Sequence, residues 1–191
     1  MYTRIINNVK RFIELDDEEL NLFTSLLSTK EYKRKEMLLR NGEVSKYELF
    51  IINGCVKNYT IDHNGFEHIS MFAIEDWWTG DIASFTKETP TIFNIEALED
   101  TEVIQISKSN LELLLDKIPK FEKFFRILYQ RSLTTYIERN NQNISFTAEE
   151  RYLTFIKKNP KFEQRISQKN IASYLGITPE FLSVLRKKLN S

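Results

Sequence analysis

The densest set of groups able to do chemistry lies near the C-terminal end, between Ser167 and Leu189. Ser167 can cap a short helix over 168–175, on which Ile171, Ala172 and Leu175 share one side. Gly176 stands where a tight turn needs small size or positive φ, and Ile177 behind it reads as a buried plug. Thr178-Pro179 opens a second helix, with Thr as N-cap and Pro in the first turn. Leu182, Leu185 and Leu189 form its predicted inner face. Two short helices joined by a three- or four-residue turn containing glycine have the helix-turn-helix spacing. This pattern leaves Glu180, Ser183, Arg186 and Lys187 outward on the second helix, and Gln168 and Lys169 on the first. Together with the Thr178 end of the helix, these amides, hydroxyls and cations suit the phosphates and base edges of a duplex. A plain helical hairpin in a small bundle is the alternative.

The charge distribution bears on that choice. The 191 residues carry 27 Lys+Arg and 27 Asp+Glu. From Thr147 to Ser191, however, nine cations stand against four acids, and the remainder of the chain carries the compensating negative surplus. A basic end on an acidic body points to a polyanion partner for that end alone.

Other chemistries find less support. Cys55 is the one cysteine, so neither an intramolecular disulfide nor a cysteine-ligated cluster within one chain is available. In its strand-like run it reads as a small buried apolar residue. His63 and His68 flank a turn but do not supply a cupin-type ligand set, so no metal is expected. No Ser/His/Asp arrangement, P-loop or dinucleotide fingerprint is present, and no enzyme activity is expected. Trp77-Trp78 reads as core and lid packing. Apolar runs are short and the first residues lack a secretory pattern, so the expected setting is the cytoplasm, without a membrane partner.

Several elements must position the C-terminal pair. The first 28 residues read as helical, with Asp16 and Glu19 forming a capping box before Leu20, Phe23, Leu26 and Leu27. From about Thr29, short strand-like runs alternate with turn signals at Asn41-Gly42, Asn53-Gly54 and Asp62–Gly65, the rhythm of an antiparallel sandwich or barrel. Phe93–Leu98 and Glu102–Ile106 extend it after an irregular stretch over 75–91. Ser109 and Glu112 form a second capping box, opening 111–117. A long helix then runs from Pro119 to about Asn140 with two apolar stripes. One is Ile118, Phe121, Phe125 and Leu128, and the other is Tyr129, Leu133, Tyr136 and Ile137. Two stripes need two neighbours, which suggests the β-rich body and a second copy of the same helix. Asn140–Asn143 reads as a hinge, Thr147 and Glu150 as a third capping box for 148–158, and Asn159-Pro160 as its stop.

The stretch Ile171-Ala172-Ser173-Tyr174-Leu175-Gly176-Ile177-Thr178-Pro179-Glu180-Phe181-Leu182-Ser183 resembles the helix-turn-helix of the Crp/Fnr transcription regulators, nearest to the short form found in Bacteroidetes. The likeness covers nearly the whole chain in order: β-roll, long helix, hinge, basic helical end. It implies an α+β protein. An N-terminal jelly roll (a double-stranded β-helix resembling cyclic-nucleotide-binding domains) would occupy 1–110, a connecting and dimerisation helix 111–144, and a helix-turn-helix DNA-binding domain 145–191. The implied partners are double-stranded DNA carrying a roughly palindromic site, a second copy paired through Phe125, Tyr129, Leu133, Tyr136 and Ile137, and, as a further candidate, RNA polymerase. An unidentified small-molecule effector in the β-roll is compatible with the likeness, and no cofactor is named by it.

The departures from the family pattern are informative. The family's nucleotide cassette has a Gly-Glu pair and, some ten residues on, an Arg-Ser pair whose Arg holds the cyclic phosphate. This chain has Gly80 and Asp81, then Thr91 and Ile92, so the phosphate loses its charge-assisted partner and cyclic AMP is not the expected ligand. The pocket residues implied are Gly80, Asp81, Ile82, Ala83, Thr91, Ile92 and Tyr136. The Fnr branch's cysteine cluster is absent. Val184 stands where many relatives carry Arg, Pro179 where others do, and the chain as given has no wing after the second helix. A ligand-binding or protein-interaction module with a degenerate DNA-binding head is the alternative these departures raise.

Overall fold

The computed structural model describes residues 2–189. Two helices open the chain, α1 (Thr3–Lys10) and α2 (Asp17–Ser25). Asp16 and Glu19 cap α2 reciprocally, as expected: the Glu19 amide donates to Asp16 Oδ1 at 2.9 Å and the Asp16 amide donates to Glu19 Oε2 at 3.0 Å.

Eight strands follow: β1 (Ser28–Tyr32), β2 (Met37–Leu39), β3 (Tyr47–Asn53), β4 (Cys55–Ile61), β5 (Glu67–Ile74), β6 (Trp78–Thr79), β7 (Asn94–Ala97) and β8 (Thr101–Ser107). They form two four-stranded sheets, ordered β1-β8-β3-β6 and β2-β7-β4-β5. In the first, β3 and β8 pair antiparallel with Phe50 opposite Ile104, and β8 also pairs with β1. Strands far apart in sequence are thus wrapped side by side, the hallmark of a roll rather than a meander. The β3–β4 turn admits only glycine. Gly54 has φ +106°, and a Cβ there would lie 2.7 Å from the Thr101 Cα.

β3 is buried along both faces, which strict alternation does not predict. Phe50 on one face joins Ile104 and Ile106 in a core completed by Ile5, Val9, Phe23, Leu114, Phe121 and Phe124. Leu49 and Ile51 on the other face are buried too, so the strand is covered from both sides. Trp78 seals the aromatic cluster against Phe50, Phe124 and Phe125, with centroids 5.5–5.9 Å apart, while Trp77 is partly exposed. The irregular stretch over 75–91 holds β6 and a short helix, α3 (Ile82–Lys87), capped by Asp81.

The helical half is α4 (Lys108–Lys117), α5 (Lys120–Ser145), α6 (Ala148–Lys158), α7 (Phe162–Arg165), α8 (Gln168–Leu175) and α9 (Pro179–Leu189). Three expectations are corrected here. The cap of α4 is Ser107, not Ser109: Ser107 leaves β8 with extended ψ and accepts from the Asn110 amide at 3.2 Å. The hinge is not at Asn140–Asn143, because α5 continues to Ser145. Exposed asparagines cost a helix interior only tenths of a kcal/mol each, about the cost of any ordinary polar residue and far below that of proline. Phe125 does not lie on a free face of α5; it is 5% exposed within the β-roll core.

The chain divides into two compact units, residues 1–58 with 72–129, and residues 59–71 with 130–191. The second unit therefore includes the tip of the β4–β5 hairpin.

Candidate nucleic-acid interface

The C-terminal head is assembled by caps and a small aromatic core. Thr147 and Glu150 form the expected capping box at the start of α6, and α6 ends before Asn159-Pro160. Tyr152, Phe155, Phe162, Ile166, Ile171, Ala172, Leu175, Leu182 and Leu185 are buried. Phe155 stacks obliquely on Phe162 and Tyr174, at 5.7 and 5.2 Å between centroids. Ser167 caps α8 through the Asn170 amide at 3.3 Å. Gly176 ends α8 in the left-handed region, φ +68°, and the Ile177 amide reaches back to the Ala172 carbonyl at 3.0 Å. Thr178 Oγ1 then accepts from the Phe181 amide at 3.2 Å and starts α9. Three residues, 176–178, thus turn one capped helix into the next. Leu189 departs from the predicted inner face and is 37% exposed, since the last turn of α9 runs past the buried stripe.

The seven predicted contact residues separate into groups. Gln168 and Lys169 are exposed in the first turn of α8, and Glu180 and Lys187 are exposed on α9. Ser183 is half-buried, and the Thr178 hydroxyl is engaged as the cap. Arg186 turns into the head. Its Nη2 lies 3.5 Å from Glu163 Oε1, the same oxygen to which the Tyr152 hydroxyl donates at 2.6 Å. Burial first, and Glu163 second, push the Tyr152 phenol up to about 12. Lys188 pairs with Glu149 at 2.9 Å. Lys169 and Lys187 are the exposed cations of α8 and α9 that make no ion pair among the described residues. Two residues that the sequence reading did not place on the outer face are there: Phe181, 51% exposed, and Val184, 66% exposed. Their i, i+3 spacing, out of phase with Leu182 and Leu185, is the signal that could have found them.

On the outer half of α5, Leu133 (58% exposed), Tyr136 and Ile137 are uncovered, and Ile144 continues them. Tyr129 is partly buried against the β-roll core.

In the first unit, the residues aligned with the phosphate cassette are closed on one another. Asp81 Oδ1 accepts from the Ala83 and Ser84 amides at 3.0 and 3.2 Å, and Asp81 Oδ2 accepts from Thr91 Oγ1 at 2.6 Å. Ser84 Oγ donates to the Thr89 carbonyl at 2.6 Å and accepts from the Ser45 amide at 2.9 Å. Gly80 lies against Glu48: a Cβ there would be 3.4 Å from Glu48 Oε2. Glu48 is 5% exposed and its Oε1 has no hydrogen-bond partner. Burial, and secondarily Asp81, push its carboxyl up to about 8. Buried Lys57 is paired with Glu96 at 3.4 Å. Asp81 and Thr91 therefore meet, whereas Ile82, Ala83 and Ile92 are exposed, and Tyr136 belongs to the second unit. The chemistry of this set, an Asp81 carboxylate and hydroxyls already engaged with one another and a buried Glu48 carboxyl, does not match a phosphodiester anion.

Among the described residues no helix is long and apolar enough to cross a membrane. A family model described as the cyclic nucleotide-binding domain matches residues 29–117. The fumarate and nitrate reduction regulatory protein of Vibrio cholerae is 27% identical over 191 aligned residues, covering 90% of this chain and 72% of its own. The regulatory protein HlyX of Actinobacillus pleuropneumoniae is 25% identical, covering 90% and 75%. Among solved structures, FixK2 from Bradyrhizobium japonicum superposes with a TM-score of 0.75 at 20% identity, covering 86% of this chain and 84% of its own. The c-di-GMP-responsive global regulator CLP of Xanthomonas campestris superposes with a TM-score of 0.71 at 16% identity, covering 92% of each chain. At those identities the structures speak to the fold.

Proposed function

Because the chain belongs to the Crp/Fnr family of DNA-binding transcription regulators, we propose that it works as a homodimer whose two C-terminal heads read the halves of a roughly palindromic duplex site. The observation that carries this reading is α9 itself: a capped helix after a glycine turn, uncovered on one face, with Lys187 exposed there and making no ion pair among the described residues. In such a motif the second helix enters the major groove, and phosphate contacts set its register. The uncovered Leu133, Tyr136 and Ile137 of α5 supply the apolar stripe for pairing two copies, in place of the larger set that included Phe125. Residues 1–110 act as the sensor part, 111–144 as the connector and 145–191 as the reading head, in a protein that works in the cytoplasm and catalyses no reaction. A small molecule bound to the sensor would change the balance between two dimer geometries.

The test is a gel-shift series on genomic duplex fragments at rising salt. Binding strengthens at low salt, and Lys187→Glu lowers affinity about tenfold or more and makes the salt slope shallower, by about one released counterion per head. Undiminished affinity in that variant, or no binding at low salt, would overturn the reading.

Cyclic AMP is not the effector in this proposal. Titration calorimetry with cyclic AMP is expected to give no stoichiometric heat, because Thr91 stands where the family pattern has its phosphate-binding arginine, and its hydroxyl is already given to Asp81. Tight one-to-one binding would contradict this.

A further inference from the structure

α9 has already used its inner face: Leu182 and Leu185 are 0% and 5% exposed and complete the head's core. Phe181 and Val184 are surplus to that core. They stand three residues apart, at 51% and 66% exposure, and exposed Lys187 is three residues further on, so that the three follow a slow spiral in which Val184 lies between Phe181 and Lys187. An apolar pair beside a cation that makes no ion pair among the described residues is a mixed surface. A membrane or a purely apolar protein patch would be served by more apolar area than two side chains provide. A duplex matches both halves of it: the cation answers phosphate, and the major groove offers one apolar group, the C5 methyl of thymine. Guanine and cytosine present only hydrogen-bonding edges there, and neither Val184 nor Phe181 can satisfy them.

We propose that Val184, flanked by Phe181, selects thymine in each half-site by packing on its methyl group. This rests on the DNA-reading proposal above. The position at which many family members carry arginine, suited to guanine, would then discriminate in favour of an A·T pair. Burying one methyl is worth about a fourfold change in affinity per half-site.

The test begins with the full chain and a pool of random duplexes, from which bound sequences are recovered. One position in each half-site is expected to be thymine almost invariantly. Deoxyuridine at that position removes only the methyl group and lowers affinity about fourfold per half-site. Val184→Ala loses a similar factor and becomes indifferent to the deoxyuridine change, the signature of two groups that touch. Val184→Arg shifts the preferred base there to guanine. Val184 is exposed, and far-ultraviolet circular dichroism checks that the head of each variant stays folded. If a site is recovered but deoxyuridine is tolerated throughout, or Val184→Arg keeps the original preference, thymine selection is wrong and DNA reading stands. If no sequence is enriched, both fall, and Phe181 and Val184 are then left for a protein partner.

Discussion

Replacing Arg139 with alanine is expected to loosen the tip of the β4–β5 hairpin from α8 and to cost roughly 3 kcal/mol of stability in the C-terminal unit. The arginine makes a three-way junction. Its Nη1 donates to the Ser70 carbonyl, and its Nη2 donates to the carbonyls of Ile69 at 3.0 Å and Tyr174 at 2.9 Å. The guanidinium carbon sits 3.9 Å from the centre of the Tyr174 ring. Next to it, Ser173 Oγ donates to the Glu67 carbonyl at 2.5 Å and accepts from the Ile69 amide at 3.2 Å. Removing the arginine leaves three carbonyls without their charged donor and the ring without its cation. Arg139→Lys is expected to recover only a minor part, since an ammonium cannot reach three carbonyls in a plane and stack as well. Hydrogen exchange at the amides of residues 67–70 is the measurement. Faster exchange in the alanine variant and a small recovery in the lysine variant are expected; equal protection in all three would show that the junction does not hold the hairpin.

The second large effect concerns pH. Glu48 is buried on β3 beside Asp81 and holds its proton to about 8, mainly because burial disfavours its charge. The unfolded chain releases that proton near the ordinary carboxylate value. The folded state therefore binds more protons between the two values, and its stability falls as pH rises through that window. The contribution is fully present below the ordinary value and is lost by about pH 8; a displacement of this size is worth at most about 5 kcal/mol. The phenol of Tyr129 is pushed up too, by burial and then by Glu48, so it stays neutral across the same range. Glu48→Gln removes the titration. Urea unfolding at about pH 5 and about pH 8.5 should show the variant close to the parent at the lower pH and clearly more stable at the higher. A difference between the two proteins that does not change with pH would mean that Glu48 does not stay protonated in the folded state.

Local signals served the helix ends well. Asp16 with Glu19, Thr147 with Glu150, Ser167, Gly176 and Thr178 all act where their types and spacing predicted, because a cap is satisfied within four residues and needs no distant partner. Where two caps compete over short range, as Ser107 and Ser109 do, the choice falls to the residue that leaves the strand with the right backbone angle, and only the folded β8 supplies that angle. The run of asparagines in α5 misled for a related reason: a polar run suggests a loop, yet nothing in it breaks a helix.

The amino-acid order by itself determined the capped helix pair, the basic end, the β-rich body and the likeness to Crp/Fnr regulators. All of these rest on neighbours within a few residues or on patterns of period two and 3.6. Tertiary packing alone decided that Arg186 answers Glu163 inside the head and that Glu48 is buried beside Asp81. Each of those outcomes is set by which surfaces meet across long stretches of chain, and burial of that kind has no signature in the spacing of residues along it.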